Sequence, residues 1–299
     1  MTGLTVKAHA KINLFLKVIG RRPDGYHEVV SLLQTIDLHD RLTLETRPDA
    51  ISLEVDDPGV PSDATNLAWR AAESLPRPAT GPRGVHIRLS KSIPSATGLG
   101  GGSSDAAATL IGTSRLWGLG LGPPDLDGRA ARLGADVPFF LTGGTALVTG
   151  RGTEIHPLED LAGYCLVIVS PGVPVPTSEV YQRLGAPLTS SRGISRIRRL
   201  DSAAREALRE GVAACVRLGN DLEIPACVIC PAIGEIKSRL VRLGAATAAM
   251  TGSGSAVFGV FDSPADGSHA TEELNGRGFR AVSCAPLGRP EYRRSLGIG

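Results

Sequence analysis

One stretch, PSATGLGGGSSDAAATL at residues 94–110, constrains this chain more than any other. It follows an alternating apolar run from Val85 to Ser90 and leads into an alanine-rich run, so the spacing predicts a strand, a glycine loop and a helix from about Ser103 to Trp117. Gly98, Gly100, Gly101 and Gly102 carry no Cβ, so the backbone there can adopt positive φ and come close to a ligand. Successive N–H groups can then point inward as an anion nest, and the free donors and dipole of a helix start add to it. Ser103 and Ser104 sit at that start, where their hydroxyls can donate to phosphate or ligate a metal. These parts suit a polyphosphate, although a plain turn with a serine cap would use the same residues.

Familiar phosphate motifs do not account for the loop. The Walker pattern requires Gly-Lys-Ser/Thr, and no lysine follows Gly102. The dinucleotide fingerprint needs a third glycine five residues after the first; position 103 is Ser counted from Gly98, and 105 is Asp counted from Gly100. The His-Arg-Asp and Asp-Phe-Gly signatures of protein kinases are missing. Asp105 reads as a carboxylate that stabilises the helix dipole.

A second constellation lies in LGADVPFF, residues 133–140. Pro138 disfavours helix at Val137, which predicts that Asp136 sits in extended or turn structure. Beside the apolar VPFF run its carboxylate would be partly desolvated unless a cation compensates. Lys11, next to Asn13 on a predicted strand, is a candidate for that cation. A lysine–aspartate pair beside a bound phosphate suits transfer to an alcohol, with the carboxylate receiving or positioning the hydroxyl. Taken singly, Asp136 is a turn residue and Lys11 a surface lysine.

Charge and composition narrow the function classes. Thirty-two Lys and Arg against 30 Asp and Glu give a formal charge of +2, too weak for nucleic-acid binding by field strength, and 4% aromatics argue against base-stacking platforms. Five irregularly spaced cysteines do not form a disulfide framework, and CVIC (227–230) stands without the second pair a zinc site needs, so these thiols are expected to be small buried apolar groups. The start MTGLTVKAHAKINLF lacks the features of a signal peptide, and no apolar run approaches the ~20 residues of a membrane span. The expectation is a cytoplasmic protein without membrane or nucleic-acid partners.

Along the chain, residues 4–18 read as a strand, with Ile12, Leu14, Leu16 and Val18 on one face and Lys11, Asn13, Phe15 and Lys17 on the other. Short strands are expected at 28–36, 41–46, 51–55, 85–90 and 143–149, with a helix over 65–75. In the second half, strands are expected near 164–169, 247–251, 256–260 and 279–284, with helices near 177–184, 202–217 and 231–243 and another between the last two strands. The polar, basic stretch 189–199 reads as a mobile solvated loop, and the C-terminal arginines as a solvated tail. The interleaving predicts an α+β chain in two domains, 1–155 and 156–299.

Five segments in order resemble the GHMP kinases: AKINLFLKVIGRRPDGYHEV (10–29), PSATGLGGGSSDAAA (94–108), LGADVPFF (133–140), PGVPVPTSEVY (171–181) and MTGSGSAVFGVF (250–261). The resemblance covers nearly the whole chain. It implies the two-domain fold of that family, a ribosomal-protein-S5-like N-terminal domain beside a ferredoxin-like C-terminal one, with the site between them. It implies an ATP-dependent kinase, working with Mg²⁺, that acts on a small molecule carrying a cytidine diphosphate group. The 2-hydroxyl of 4-diphosphocytidyl-2-C-methyl-D-erythritol, on the non-mevalonate route to isoprenoid precursors, would accept the phosphoryl group. By the same resemblance Asp136 is the catalytic carboxylate, Lys11 its partner, and Asn13 a holder of the methylerythritol end. Pro94, Ser95, Ala96, Thr97, Gly98, Leu99, Gly100, Gly101, Gly102, Ser103 and Ser104 wrap the ATP phosphates. Asn66 and Lys91 lie near the nucleoside of ATP; Tyr26, His27 and Tyr181 match a cytidine site, and Thr177 contacts the polar part of the substrate. Two aromatic faces can sandwich a pyrimidine while an imidazole bonds its edge. The turn around Gly252 and Gly254 is expected near the substrate, though a hairpin needs the same glycines. The metal ligands stay open apart from Ser104, and the expected state is a monomer or weak homodimer. Homoserine, mevalonate and galactose kinases of the same family, and a nucleotide- or RNA-binding module, are the alternatives; Tyr26, His27 and Tyr181 favour the cytidine compound.

Overall fold

The structure, a computed structural model, describes residues 3–189 and 191–298. The first part of the chain forms β1 (Gly3–Arg21), β2 (His27–Arg47), β3 (Ile51–Val55), α1 (Leu67–Ser74), β4 (Gly84–Ser90), α2 (Gly101–Leu116), α3 (Pro123–Leu133), α4 (Val137–Thr142), β5 (Thr145–Thr149) and β6 (Glu154–Pro157). There follow β7 (Cys165–Ser170), α5 (Thr177–Leu184), α6 (Ser191–Glu210), α7 (Val212–Arg217), α8 (Glu223–Ile229), α9 (Ala232–Arg242), β8 (Thr247–Met250), β9 (Val257–Phe261), α10 (Pro264–Gly276), β10 (Arg280–Cys284) and α11 (Arg289–Ser295).

Two sheets organise these elements. The first runs β3-β4-β2-β5-β6, with β1 also paired to β2. β2 is a single 21-residue strand rather than two short ones, long enough to pair β4 through its second half and β5 through its first. The second sheet is antiparallel throughout in the order β10-β7-β9-β8, the ferredoxin-like arrangement.

Burial explains why β1 departs from a simple two-faced strand. From Val6 to Val18 nearly every residue is buried, because helices of the first unit cover one face and the second unit covers the other. Ile12 and Phe15 share a core with Leu166, Ile168 and Phe258 of the second sheet and Ala204 of α6. Register shifts against β2 at His9/Lys11, Asn13/Phe15 and Val18/Gly20 break the strict alternation.

Three local expectations are corrected. The basic stretch 189–199 is not a loop from residue 191 onward but the first half of α6; Ile197 and Leu200 pack on the shared core at helical spacing, and the arginines flank that stripe (residue 190 lies outside the described residues). The predicted helix 202–217 is two helices, broken at Gly211 with φ +105°. The arginine-bearing C-terminus forms α11 against the first core. Its Tyr292 is 1% exposed and donates to the Phe140 carbonyl at 2.5 Å, and Arg289 donates to the carbonyls of Gly143, Thr145 and Leu158.

Tyr292 therefore anchors the C-terminus. Tyr292→Ala is expected to cost about 3–5 kcal/mol, the usual range for deleting a buried ring. Tyr292→Phe, which leaves the Phe140 carbonyl unpaired, should cost about 1–2 kcal/mol. Denaturant unfolding of both variants checks the order; equal, negligible losses would contradict the anchoring.

Candidate active site

Lys91 leaves β4 into the glycine loop, which is held from two sides. The Lys11 N–H of β1 donates to the Leu99 carbonyl at 3.0 Å, and the Ala256 N–H of the second unit donates to the Thr97 carbonyl at 3.0 Å. Gly98 has φ +83°, and a Cβ there would stand 2.3 Å from the Thr251 carbonyl. Gly100 takes the left-handed conformation at the N-cap of α2 and has no side chain to occupy the first-turn N–H groups. Gly100 to Ser103 line the cleft, so uncapped first-turn donors there suit an anion nest. Ser104 lies in the same turn; its Oγ is buried and has no partner among the described residues.

Lys11 comes from the middle of β1 and is 3% exposed. Its Nζ donates to Asn13 Oδ1 at 2.5 Å and stands 3.8 Å from Asp136 Oδ2. At such a separation two unit charges attract by about 1 kcal/mol in water and about 4 at an effective dielectric of 20. Asp136 is 39% exposed, which moves the pair toward the lower figure, so the Asn13 carbonyl carries part of the ammonium's solvation. Burial lowers the Lys11 pKa from the usual lysine value, and Asp136 acts against that shift. Asp136 lies in a turn, as expected, and is the N-cap of α4. The residue that departs from expectation is Val137, which is helical, with Pro138 in the first turn, where a missing N–H costs nothing. The Asp136 carboxylate is partly desolvated, as the neighbouring VPFF run suggested.

Asp105 is likewise corrected. It lies past the first turn of α2, is buried, and spends its charge on an ion pair, its Oδ2 accepting from Lys91 Nζ at 2.8 Å. The same ammonium donates to the fully buried Asp40, whose Oδ1 accepts the N–H groups of Ser92 and Ile93. Burial pushes the Asp105 pKa up to about 7, with Lys91 pulling against it and Asp40 adding to it. Burial works against the Lys91 ammonium too, but the two carboxylates outweigh it and its pKa is raised.

At the other end of the cleft His27 and Tyr181 stack, with ring centroids 4.4 Å apart and 26° between planes. Burial, then Arg21, lowers the His27 pKa, while burial and Asp136 push Tyr181 up to about 12. Tyr26 is 57% exposed with the Arg151 guanidinium over its ring at 4.8 Å. Thr177, first in α5, shares a 2.7 Å hydroxyl contact with Ser253 of the glycine turn. Asn66 caps α1, its Oδ1 accepting from Ala68 N and its Nδ2 donating to the Pro61 carbonyl.

One cleft of about 1340 Å³ gathers these groups. Lys11, Asn13, Tyr26, His27, Asn66, Lys91, Pro94 to Ser103, Asp136, Thr177 and Tyr181 all line it; Ser104 stands behind the wall. Sequence reasoning missed Arg21 and Arg151, which also line it. It assigned no task to Asn220, which donates to the Met250 and Gly252 carbonyls and so holds the glycine turn. Among the described residues no three acidic, His or Cys side chains gather to hold a metal ion unaided. The orphan Ser104 hydroxyl is a hard oxygen donor of the kind Mg²⁺ takes when it arrives on a nucleotide. No helix among the described residues is long and apolar enough to cross a membrane.

A nucleotide loop and a lysine–aspartate pair facing one cleft between two α+β units define a small-molecule phosphotransferase. The GHMP kinases N terminal domain model matches residues 66–144 and the GHMP kinases C terminal model matches residues 199–280. A 4-diphosphocytidyl-2-C-methyl-D-erythritol kinase from Synechococcus sp. (strain JA-3-3Ab) is 44% identical over 92% of this chain and 90% of its own. A crystal structure of 4-(cytidine 5'-diphospho)-2C-methyl-D-erythritol kinase superposes with a TM-score of 0.77 at 36% identity, over 95% of this chain and 100% of that one. Homoserine kinase from Cytophaga hutchinsonii shares the fold, with a TM-score of 0.73 over 97% of this chain and 96% of that one, at 19% identity. The chain belongs to the GHMP kinases and, within them, to the 4-diphosphocytidyl-2-C-methyl-D-erythritol kinase family, and it uses ATP.

Because the Gly98 position faces the Thr251 carbonyl at positive φ, Gly98→Ala is expected to displace the loop and lower kcat/KM for ATP by about 100-fold or more, the scale of an ångström-sized misplacement. Steady-state ADP release checks this; a loss below about fivefold would contradict the seating of the loop.

Proposed function

We propose that the chain transfers the γ-phosphoryl group of ATP to the 2-hydroxyl of 4-diphosphocytidyl-2-C-methyl-D-erythritol, on the non-mevalonate route to isoprenoid precursors. The observation that carries this reading is the Lys11–Asp136 pair, 3.8 Å apart, in the same cleft as the glycine loop and the His27–Tyr181 stack. In this reading the loop from Pro94 to Ser104 grips the triphosphate through main-chain N–H groups and the α2 start. Asn66 and Lys91 border the nucleoside. Mg²⁺ carried on the triphosphate would neutralise its charge, and the buried Ser104 hydroxyl just behind the loop is the candidate protein oxygen for it.

Asp136 accepts the hydrogen bond of the attacking hydroxyl and takes its proton as the new P–O bond forms and the bond to ADP breaks. Lys11 balances the negative charge that builds on the transferring group, and Asn13 holds both the ammonium and the methylerythritol end. Tyr26 and Tyr181 are the faces for the cytosine, His27 bonds its edge, and Thr177 meets the polar middle of the substrate. A single chain supplies every wall of the cleft, which suits a monomer or weak homodimer. The five free thiols fit a reducing, cytoplasmic setting.

An ADP-release panel with purified protein tests the assignment: the cytidine compound should give the highest kcat/KM, and faster turnover of homoserine or mevalonate would overturn it. Asp136→Asn is expected to lower kcat by about 100-fold or more while leaving ATP affinity nearly unchanged, and a loss under tenfold would remove Asp136 from its role. Tyr181→Ala should raise KM for the cytidine substrate by ~10-fold, since stacking on a base is worth about 1–3 kcal/mol. An unchanged KM contradicts the stacking role.

A further inference from the structure

One buried hydroxyl at this site is left without a task. Thr251, 0% exposed, follows the last residue of β8, precedes the glycine turn of the second unit and touches β1. Its Oγ1 accepts the Asn13 N–H at 2.9 Å and lies 3.2 Å from Asn13 Oδ1 and 3.5 Å from the Gly98 carbonyl. A hydroxyl has one proton to give, and the shorter contact takes it to Asn13. Asn13 Oδ1 then receives two donors, Thr251 and Lys11 Nζ, the latter at 2.5 Å. The other end of the amide is fixed as well: Nδ2 donates to Ser31 Oγ at 2.8 Å, and Ser31 Oγ passes its proton to the Phe15 carbonyl at 2.6 Å. With both ends of the amide held, the direction of its carbonyl sets where the Lys11 ammonium stands against Asp136.

We propose that Thr251 is a positioning residue for phosphoryl transfer: its hydroxyl fixes the Asn13 amide, and through it the Lys11–Asp136 pair, and so couples the second unit's glycine turn to the chemistry. This deepens the functional reading above and rests on it. Thr251 acts through Asn13 and touches no reacting atom. Valine keeps the shape of threonine but leaves the Asn13 N–H without an acceptor, so a threonine with only a structural role loses stability on replacement and keeps its kcat. A hydroxyl that aims the amide loses kcat.

Thr251→Val, Thr251→Ala and Thr251→Ser separate the two. Removing the hydroxyl, in Val and Ala alike, should lower kcat for the cytidine substrate by about 10- to 100-fold, the scale of a misplaced catalytic group. KM for ATP should stay within about threefold. Ser should restore kcat to within about threefold of the native enzyme, and if the Val protein does not fold, the Ala–Ser pair carries the comparison. In an Asn13→Ala background, Thr251→Val should lower kcat severalfold less than in the native background, because the amide is gone and only the main-chain N–H at position 13 still loses its acceptor. Crystal structures of the Ser and Val or Ala variants give a readout independent of turnover: the Lys11–Asp136 separation should be kept in Ser and changed in the variant lacking the hydroxyl. Native-like kcat without the hydroxyl, equal losses with and without it, losses that multiply with Asn13→Ala, or an unmoved Lys11 would each overturn the proposal. Failure of the native enzyme to turn over the cytidine compound would instead overturn the functional reading, with the crystallographic comparison still deciding the role of Thr251.

Discussion

An ammonium buried in the middle of a strand sets the terms for the rest of this molecule. Lys11 is 3% exposed, and a charge removed from water at that depth needs fixed partners. It has two kinds: the Asn13 carbonyl at 2.5 Å on its own strand, and the Asp136 carboxylate at 3.8 Å at the start of α4. That requirement draws α4 toward β1 and holds the Asn13 amide in one orientation through Ser31 and Thr251. The resulting geometry offers a cation and a half-exposed carboxylate to one point of a cleft, as phosphoryl transfer to an alcohol demands.

The same strand holds the two units together. β1 pairs with β2, hooks the phosphate loop through Leu99, and meets the second unit through Leu16, whose N–H donates to the Gly219 carbonyl while its own carbonyl accepts from Asp221. The phosphate loop is in turn bonded to Ala256 of the second unit. The loop from Pro94 to Ser104, the buried Lys11 and the second unit's glycine turn are thus parts of one hydrogen-bonded seam over a shared core. In the proposed reading, the Lys11–Asp136 pair on this rigid seam and the aromatic groups of the hairpin and α5 at its far end separate the chemistry from the recognition of the base.

The features legible in sequence were the locally encoded ones. Glycines at 98 and 100 announce positive φ, and period-two alternation announces β1, because both act within a few residues. What was hidden depends on partners distant in sequence. The burial of both faces of β1 comes from the second sheet, and Lys91 meets Asp40 across 51 residues and Asp105 across 14. In α6 the arginines masked a narrow apolar stripe of Ile197, Leu200 and Ala204 that gains its value from the core it covers. Pro138 was read as a helix breaker although the first helical turn tolerates proline, so α4 was missed while the turn at Asp136 was not. The resemblance named the candidate site residues; the reason Asn13 must be an amide, donor on one side and acceptor on the other, came from the packing.

A crystal structure with a non-hydrolysable ATP analogue and 4-diphosphocytidyl-2-C-methyl-D-erythritol tests the central claim most directly. The account predicts the γ-phosphate within the curl from Gly98 to Ser104 and the 2-hydroxyl in hydrogen-bond reach of Asp136, with Lys11 still beside both. A triphosphate bound away from that loop, or a hydroxyl turned from Asp136 in a fully occupied cleft, would contradict it.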